Sequence, residues 1–142
     1  LNRFWKRMNQ QYHAYAAAND LSDPAMWTLY SLEENGYEKV LTQNDIVETW
    51  MYPKQTISFT IAGLVKKGYV YLEQADRARN SKAVRLTEAG KAFCKQVIRP
   101  LIEAEQNALL TLSDEQRELL IRLSEQQCAA LEMKVGALIQ QQ

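Results

Sequence analysis

The stretch that decides the fold is LTQNDIVETWMYPKQTISFTIAGLVKKGYV, residues 41–70. In its first half, Thr42 can cap a helix and Asp45 stands three residues later, which is nearly the pattern of a capping box. The pattern predicts a short helix that begins at this cap. Its inward-facing apolar residues are expected to be Ile46, Val47 and Trp50.

The second half of this stretch predicts another helix. Pro53 suits the first turn, because the N–H that proline lacks would have no helical partner there. The apolar residues of its buried stripe are Ile57, Ile61, Leu64 and Val65. Only about three residues separate the two helices, so they must cross at a steep angle. This is the spacing of a helix-turn-helix.

The outer face of the second helix is unusual for a face in contact with water. At 100° per residue it presents Gln55, Phe59, Ala62 and Lys66, with Ser58 beside them, rather than a mixture of Glu and Lys. This composition suits a DNA duplex. Lysine side chains bind phosphates, whereas amide, hydroxyl and apolar groups can contact base edges.

Several side chains on and beside this face have predicted contacts. Gln55 can pair with an adenine edge, Thr56 and Ser58 with several bases, and Phe59 with a thymine methyl group. Three lysines are expected at phosphates: Lys54, Lys66 and Lys67. Two alternatives remain open. Phe59 can instead pack under the β-hairpin wing predicted after this helix or against its neighbouring helix. Gln55 and Ser58 can instead be in contact with solvent only.

A β-hairpin is predicted after Gly68. YVYLE (69–73) and KAVRL (82–86) are rich in β-branched and aromatic residues, and they flank the polar segment QADRARNS (74–81). The basic residues of this hairpin are Arg77, Arg79 and Lys82. They can enter a minor groove or touch phosphates, and the alternative is a solvated hairpin tip.

Helical patterns precede and follow this block. An apolar and aromatic stripe runs from Leu1 to Tyr15, and a second helix begins at Ser22 or Asp23 and stops at Asn35-Gly36. Thr87 caps a helix that Pro100 should kink. A capping box of Ser113 and Gln116 opens the last helix. The sequence therefore predicts a mainly α protein with a small β-hairpin, an α+β fold.

The predicted organisation is a single domain over residues 1–142. Residues 22–87 form a helix-turn-helix lobe with a hairpin wing, and residues 1–19 and 88–142 form flanking helices. These outer helices carry apolar stripes that must be buried. A second copy of the chain related by a two-fold axis is the predicted partner, and the alternative is a helical bundle within one chain.

Charge is distributed unevenly although the chain is neutral overall. Residues 53–91 hold eight basic and three acidic side chains, a net charge of +5, and the remainder carries −5. A basic middle between acidic ends indicates a phosphate-binding surface, since local rather than total charge attracts a polyanion. A chance fluctuation of surface charge is the alternative.

Other kinds of site find little support. The chain has one histidine, His13, and lacks a nucleophile motif, a phosphate-binding glycine loop and a paired metal motif, so neither an enzyme nor a cofactor or metal site is predicted. Cys94 and Cys128 show no disulfide or ligand spacing, which fits a reducing cytoplasm. They are either inert packing or redox sensors. No apolar run is long enough for a membrane helix.

In its ordered motifs, the chain resembles the MarR family of bacterial transcription regulators. Residues 41–70 are similar to the family's helix-turn-helix, LTEAGKAF (86–93) to its strand-to-helix junction, and LSDEQRELL (112–120) to the start of its final helix. The resemblance implies a winged-helix homodimer with a recognition helix in each major groove. It also implies a crevice for aromatic or phenolic ligands, for which Trp27 and Tyr30 are candidates.

Some positions depart from the family pattern. Pro53 stands where the family often has a Ser or Thr cap, and Met51 and Tyr52 stand where it often has Gly or a small residue. In the wing, Ala78 and Asn80 occupy the positions at which an Asp and Arg pair is expected. This departure from the family pattern leaves open whether Arg77 or Arg79 reaches the groove.

The functional hypothesis is a sequence-specific DNA-binding regulator. It is expected to act as a homodimer and a repressor on a pseudo-palindromic operator, and to be released by a small aromatic or phenolic effector. The alternative is a winged-helix dimer that binds protein and has lost DNA contact. Ionic strength discriminates between them, because phosphate contacts weaken steeply with salt.

Overall fold

A computed structural model of the chain describes residues 1–37, 39–74 and 82–142. The α-helices and strands, in chain order, are α1 (Asn2–Ala18), α2 (Asp23–Glu34), α3 (Gln43–Trp50), α4 (Lys54–Lys66), β1 (Val70–Gln74), β2 (Lys82–Leu86), α5 (Glu88–Phe93), α6 (Arg99–Leu109) and α7 (Asp114–Gln140). A π-helical segment, Cys94–Ile98, joins α5 to α6. The predicted fold class, mainly helical with one antiparallel hairpin, is confirmed.

Side-chain caps fix where several helices begin. The Thr42 hydroxyl accepts from the Asp45 N–H at 3.2 Å, and the Asp45 carboxylate accepts from the Thr42 N–H at 2.8 Å, which completes the capping box of α3. Ser113 and Gln116 form the same reciprocal pair at α7. Ser22, rather than Asp23, caps α2. These bonds satisfy N–H groups that have no partner inside the helix.

The turn between α3 and α4 differs in detail from the prediction. Met51 adopts a left-handed backbone conformation with φ 57°, and its N–H donates to the Val47 carbonyl at 2.9 Å. Pro53 is extended, with ψ 144°, and occupies the cap position, so α4 begins at Lys54 and not at the proline. The missing N–H of Pro53 is therefore outside the helix, where no helical bond is lost.

A single apolar core holds α2, α3, α4 and the hairpin together. The fully buried residues include Met26, Leu29, Ile46, Ile57, Ile61, Leu64, Val70, Val84, Cys94 and Ile98. The stripe of α4 is narrower than predicted, because the Val65 side chain is 41% exposed. Val65 lies 80° around the helix from Ile57, at the edge of the stripe.

The hairpin is tied to the segment before α3. β1 and β2 pair antiparallel from Val70 opposite Leu86 to Gln74 opposite Lys82. The Val84 N–H donates to the Leu41 carbonyl at 2.8 Å, and Thr42 bridges to Ala83. The predicted strands are confirmed, with the first beginning at Val70 rather than at Tyr69.

A π-helical segment lies just before Pro100, where the sequence predicts a kink. The helix that begins at Glu88 changes to i→i+5 hydrogen bonding over Cys94–Ile98, just before Pro100. Because proline cannot donate to the carbonyl four residues earlier, the α-helical bonding must be interrupted near this point. The Tyr15 hydroxyl donates to the Val97 carbonyl at 2.8 Å and so joins α1 to this segment.

The chain divides into two compact units, Leu1–Ile102 and Glu103–Gln142. The first contains the core, the hairpin and the helix-turn-helix. The second contains most of α6 and all of α7, in which no residue is buried. The division therefore falls within α6, whereas the sequence places the end of the lobe at residue 87. The role of residues 1–19 and 88–142 as dimerisation helices stays a prediction.

Candidate nucleic-acid interface

Helix α4 separates its residues into two faces. Ile57, Ile61 and Leu64 are at most 2% exposed and pack into the core. The opposite face is exposed and contains Lys54, Gln55, Ser58, Phe59, Ala62 and Lys66. These side chains therefore lie on the side that helical periodicity predicts, because the core contacts of one face turn the other face outward.

The polar side chains of this face are available for binding. In the described part of the chain, Lys54, Gln55, Ser58 and Lys66 have no side-chain hydrogen bond or ion pair with one another or with any other described residue. Such groups can exchange water for a ligand without breaking an internal bond.

Two residues with predicted DNA contacts, Thr56 and Lys67, are less available for binding than the exposed polar side chains of α4. Thr56 is half-buried, and its carbonyl accepts from the Thr60 hydroxyl at 2.7 Å. Lys67 donates through Nζ to the Asp20 carbonyl at 3.0 Å, which ties the end of α4 to the turn after α1. The sequence predicts a phosphate contact for Lys67 but not this bond, because Asp20 lies 47 positions away in sequence.

The N-terminus of α4 favours an anion. No side chain caps it, and its first turn contains no acidic residue. The helices α1 and α6 also lack an acidic residue there, whereas α2, α3, α5 and α7 each carry an Asp or Glu in the first turn. The unpaired N–H groups of α4 and the positive end of its dipole are therefore not neutralised by a neighbouring carboxylate.

The predicted wing contacts are only partly within the described residues. Lys82 begins β2 and is exposed. Arg77 and Arg79 fall in residues 75–81, outside the described part of the chain. Arg85 is engaged within the hairpin, because its Nε lies 2.5 Å from the Glu73 carboxylate. Lys82 is therefore the wing cation whose exposure supports the predicted role.

Trp27 and Tyr30 belong to an aromatic cluster that links α1, α2 and α3. The Trp27 and Trp50 rings stack with centroids 4.4 Å apart, Tyr12 lies 4.9 Å from Trp27, and Tyr30 meets Trp50 edge-on at 5.8 Å. The Trp50 indole N–H donates to the Ser31 hydroxyl at 2.6 Å. The role of Trp27 and Tyr30 in ligand binding stays a prediction.

A small cavity of about 90 Å³ lies elsewhere, between the end of α2, the hairpin and α5. It is lined by Tyr37, Tyr71 and Lys91 among others, but not by Trp27 or Tyr30. Lys91 Nζ stands 4.8 Å from the centre of the Tyr37 ring. Beside it, Glu33, whose side chain is 5% exposed, pairs with Arg99 and accepts from the Tyr37 hydroxyl at 3.0 Å. These residues were not predicted, and the contacts of Lys91 with Tyr37 and of Arg99 with Glu33 join distant parts of the sequence.

The two cysteines differ in environment. Cys94 is fully buried in the π-helical segment, and this burial raises the pKa of its thiol to about 12. Cys128 is exposed, and a hydrogen bond from its thiol to Glu132 raises its pKa. Because the thiolate is the reactive form, neither environment activates the sulfur.

We expect native Cys94 to resist alkylation by iodoacetamide at pH 8. At that pH the thiol remains protonated and shielded, so its modification should be at least about 100-fold slower than in urea. Peptide mass spectrometry reads each cysteine separately, with urea-unfolded protein as the control. Equal rates of Cys94 modification in the native and unfolded chains would contradict this assignment.

The described residues provide neither a metal site nor a membrane-spanning helix. Within residues 1–37, 39–74 and 82–142, no group of three His, Cys, Asp or Glu side chains could hold a metal ion. His13, the one histidine, is exposed and lies 2.9 Å from the Asp23 carboxylate. In the same ranges, no helix has the length and apolar character needed to cross a membrane.

Comparison with known proteins relates this architecture to one family. Residues 19–79 match the sequence model of the MarR family. No protein of curated function is similar enough in sequence to match. Among solved structures, the MarR family regulator NMB1585 from Neisseria meningitidis is 24% identical, with a TM-score of 0.76 and 96% of each chain covered.

Two further structures have the same fold. MepR of S. aureus in its DNA-binding conformation is 22% identical, with a TM-score of 0.79 over 92% of this chain and 94% of that one. The transcription regulator MarR of Oenococcus oeni is 16% identical, with a TM-score of 0.74 over 91% and 96%. The resemblance predicted from the sequence is therefore confirmed: residues 19–79 match the MarR family model, and the chain has the fold of solved MarR family regulators.

Proposed function

We propose that this protein is a sequence-specific DNA-binding transcription regulator that acts as a homodimer and a repressor. The observation that carries the proposal is the outer face of α4. It joins exposed cations, an amide and a hydroxyl that have no partner among the described residues, and an exposed phenyl ring on the second helix of a helix-turn-helix. MepR, which shares the fold, has been solved as a complex with DNA.

In the proposed complex, α4 lies in the major groove. Gln55 and Ser58 face base edges, where an amide can pair with adenine in bidentate fashion. Lys54 and Lys66, near the two ends of α4, bind phosphates and set its register. Thr56 makes a secondary contact because it is half-buried. The uncapped N-terminus of α4 adds a further phosphate contact.

The wing makes the second contact with the duplex. Lys82 at the start of β2 binds the backbone, and Arg77 and Arg79 bind the backbone or the minor groove. Arginine suits this role because its guanidinium is always charged and is attracted to the negative potential of a narrow groove.

The exposed apolar residues of the outer helices support a homodimer. In α1 and at its start, Leu1, Phe4, Trp5 and Met8 are exposed, and so are nine large apolar residues of α7. An apolar surface of this extent requires a partner. A two-fold dimer presents two recognition helices, so its operator is expected to be pseudo-palindromic, with half-sites about 34 Å apart.

A small aromatic or phenolic effector is part of the proposal. Trp50 ends α3, immediately before the turn that leads into α4, and its ring stacks on Trp27. A ligand ring that inserted beside Trp27 and Tyr30 would compete with this stack and displace α3 and α4 together. Binding would then favour a conformation with lower DNA affinity. The proposal places the protein in the cytoplasm.

The experiment that tests DNA binding is selection of duplexes from a random pool by the purified protein, followed by affinity measurements over a range of salt. We expect one enriched pseudo-palindromic sequence, and a plot of log affinity against log salt that falls with a slope of several units. Absence of enrichment, or affinity that is independent of salt, would contradict the proposal.

Gln55→Ala and Lys66→Ala should weaken binding in different ways. The first removes a base contact, so it should cost about 1–3 kcal/mol on the selected duplex and little on random duplexes. The second removes a phosphate contact, so it should weaken both classes similarly and reduce the salt slope by about 1. Equal losses on selected and random duplexes for Gln55→Ala would show that Gln55 does not read bases.

A further inference from the structure

The Phe59 side chain is the most exposed large apolar group of α4, at 83%. It lies about 200° around the helix from Ile57, which is fully buried. Phe59 therefore cannot reach the core unless α4 rotates and exposes Ile57 and Ile61. The exposure excludes the alternative that Phe59 packs under the wing or on a neighbouring helix among the described residues.

The neighbours of Phe59 leave its ring accessible. Ala62 and Gly63 follow three and four positions later, where side chains on one helix face normally meet. Both are small and exposed, and a Cβ placed on Gly63 would meet nothing within 4 Å. Gln55 stands one turn earlier and presents an amide. The exposed face of α4 thus presents a polar amide, Gln55, and an accessible apolar ring, Phe59.

A methyl group is the feature of the major groove that best matches a phenyl ring. The ring has no hydrogen-bond donor or acceptor, and the methyl group at C5 of thymine is the one alkyl group that the base edges present there. A ring placed over any other edge would remove water from donors or acceptors without replacing their bonds, which is unfavourable. The same methyl group is present at C5 of 5-methylcytosine.

We propose that Phe59 reads the 5-methyl group of a pyrimidine, so that the protein distinguishes thymine from uracil and 5-methylcytosine from cytosine at one position of each half-site. The inference rests on the proposed function, because it requires α4 in the major groove. It makes base methylation, as well as base sequence, a determinant of affinity.

The test replaces each thymine of the selected duplex by deoxyuridine, one position at a time, which removes only the methyl group. Wild-type protein should lose about four-fold in affinity at one position per half-site, since burying a methyl group contributes about 0.8 kcal/mol. Phe59→Ala should bind the thymine and uracil duplexes equally. Ser58→Ala is the matched control on the same helix face: it should weaken binding to the thymine and uracil duplexes to the same extent and so keep the four-fold ratio between them.

A second arm adds the methyl group to a different base. In a duplex whose sensitive pair has cytosine in place of thymine, 5-methylation of that cytosine should raise wild-type affinity about four-fold and leave Phe59→Ala unchanged. This arm separates recognition of the methyl group from any effect of uracil on duplex shape.

The outcomes are distinguishable. Sequence-specific binding without a uracil-sensitive position, or with sensitivity that survives in Phe59→Ala, would overturn this inference and leave the proposed function standing. Failure to bind any duplex would contradict both. Phe59→Ala that retains full DNA affinity but loses self-association would assign the ring to a protein contact and overturn the inference.

Discussion

Gly90→Ala should destabilise the protein by about 3 kcal/mol or more, a large effect for the addition of one methyl group. A Cβ at position 90 would lie 1.9 Å from the Tyr69 carbonyl oxygen and 2.8 Å from its carbon. These are backbone atoms, so no side-chain rotation relieves the clash. The fold must therefore shift where α5 meets Tyr69, the residue just before β1.

The contacts around Gly90 explain why such a shift is costly. The Tyr69 carbonyl accepts from the Thr87 N–H at 3.0 Å, and the Thr87 hydroxyl donates to the Gly68 carbonyl at 2.5 Å. Thr87 also caps α5 by accepting from the Gly90 N–H at 2.9 Å. Moving Tyr69 would disturb these bonds and the stack of its ring on Phe93, whose centroids lie 4.5 Å apart.

Gly63→Ala is the matched control for this prediction. The same methyl group at position 63 meets nothing within 4 Å, and Gly63 lies inside a regular helix. The substitution should therefore stabilise the protein by about 0.5–1 kcal/mol through helix propensity. Urea unfolding at one fixed protomer concentration measures both variants. A Gly90→Ala variant as stable as Gly63→Ala would show that the strand-to-helix junction tolerates the shift.

Leu131→Glu combined with Leu138→Glu should convert the proposed dimer to monomers. Both side chains are 60% exposed and lie seven residues apart on α7, so they share one face. A carboxylate on each would have to lose its water when that face is covered, which is strongly unfavourable. Light scattering should change from twice the chain mass of 16.4 kDa to that mass itself.

Loss of the dimer should also remove most operator binding. Each half-site alone supplies a weaker contact, and a linked pair binds about 10²-fold or more tightly than its single modules. Gln126→Glu with Gln140→Glu adds the same two charges to exposed polar positions of α7, and should leave mass and DNA affinity unchanged. Light scattering that gives the monomer mass for the unmodified chain at micromolar concentration would reject the dimer.

The sequence by itself determined the features that depend on neighbouring residues. Helix starts at Ser22, Thr42, Thr87 and Ser113 follow from local capping bonds, which form between residues three apart. The hairpin follows from alternation within short runs. The outward face of α4 follows from the period of the helix, so Gln55, Ser58 and Phe59 were correctly placed on the exposed side.

Only the tertiary structure decided the features that join distant residues. Glycine has the same low helix propensity at positions 63 and 90. Only the close approach of the Tyr69 backbone makes position 90 intolerant of a side chain. The Lys67 bond to Asp20 and the stack of Trp27 on Trp50 likewise depend on how helices pack. Capping and periodicity act within a few residues of sequence, whereas close packing depends on which backbone atoms meet in space, and no local pattern encodes that meeting.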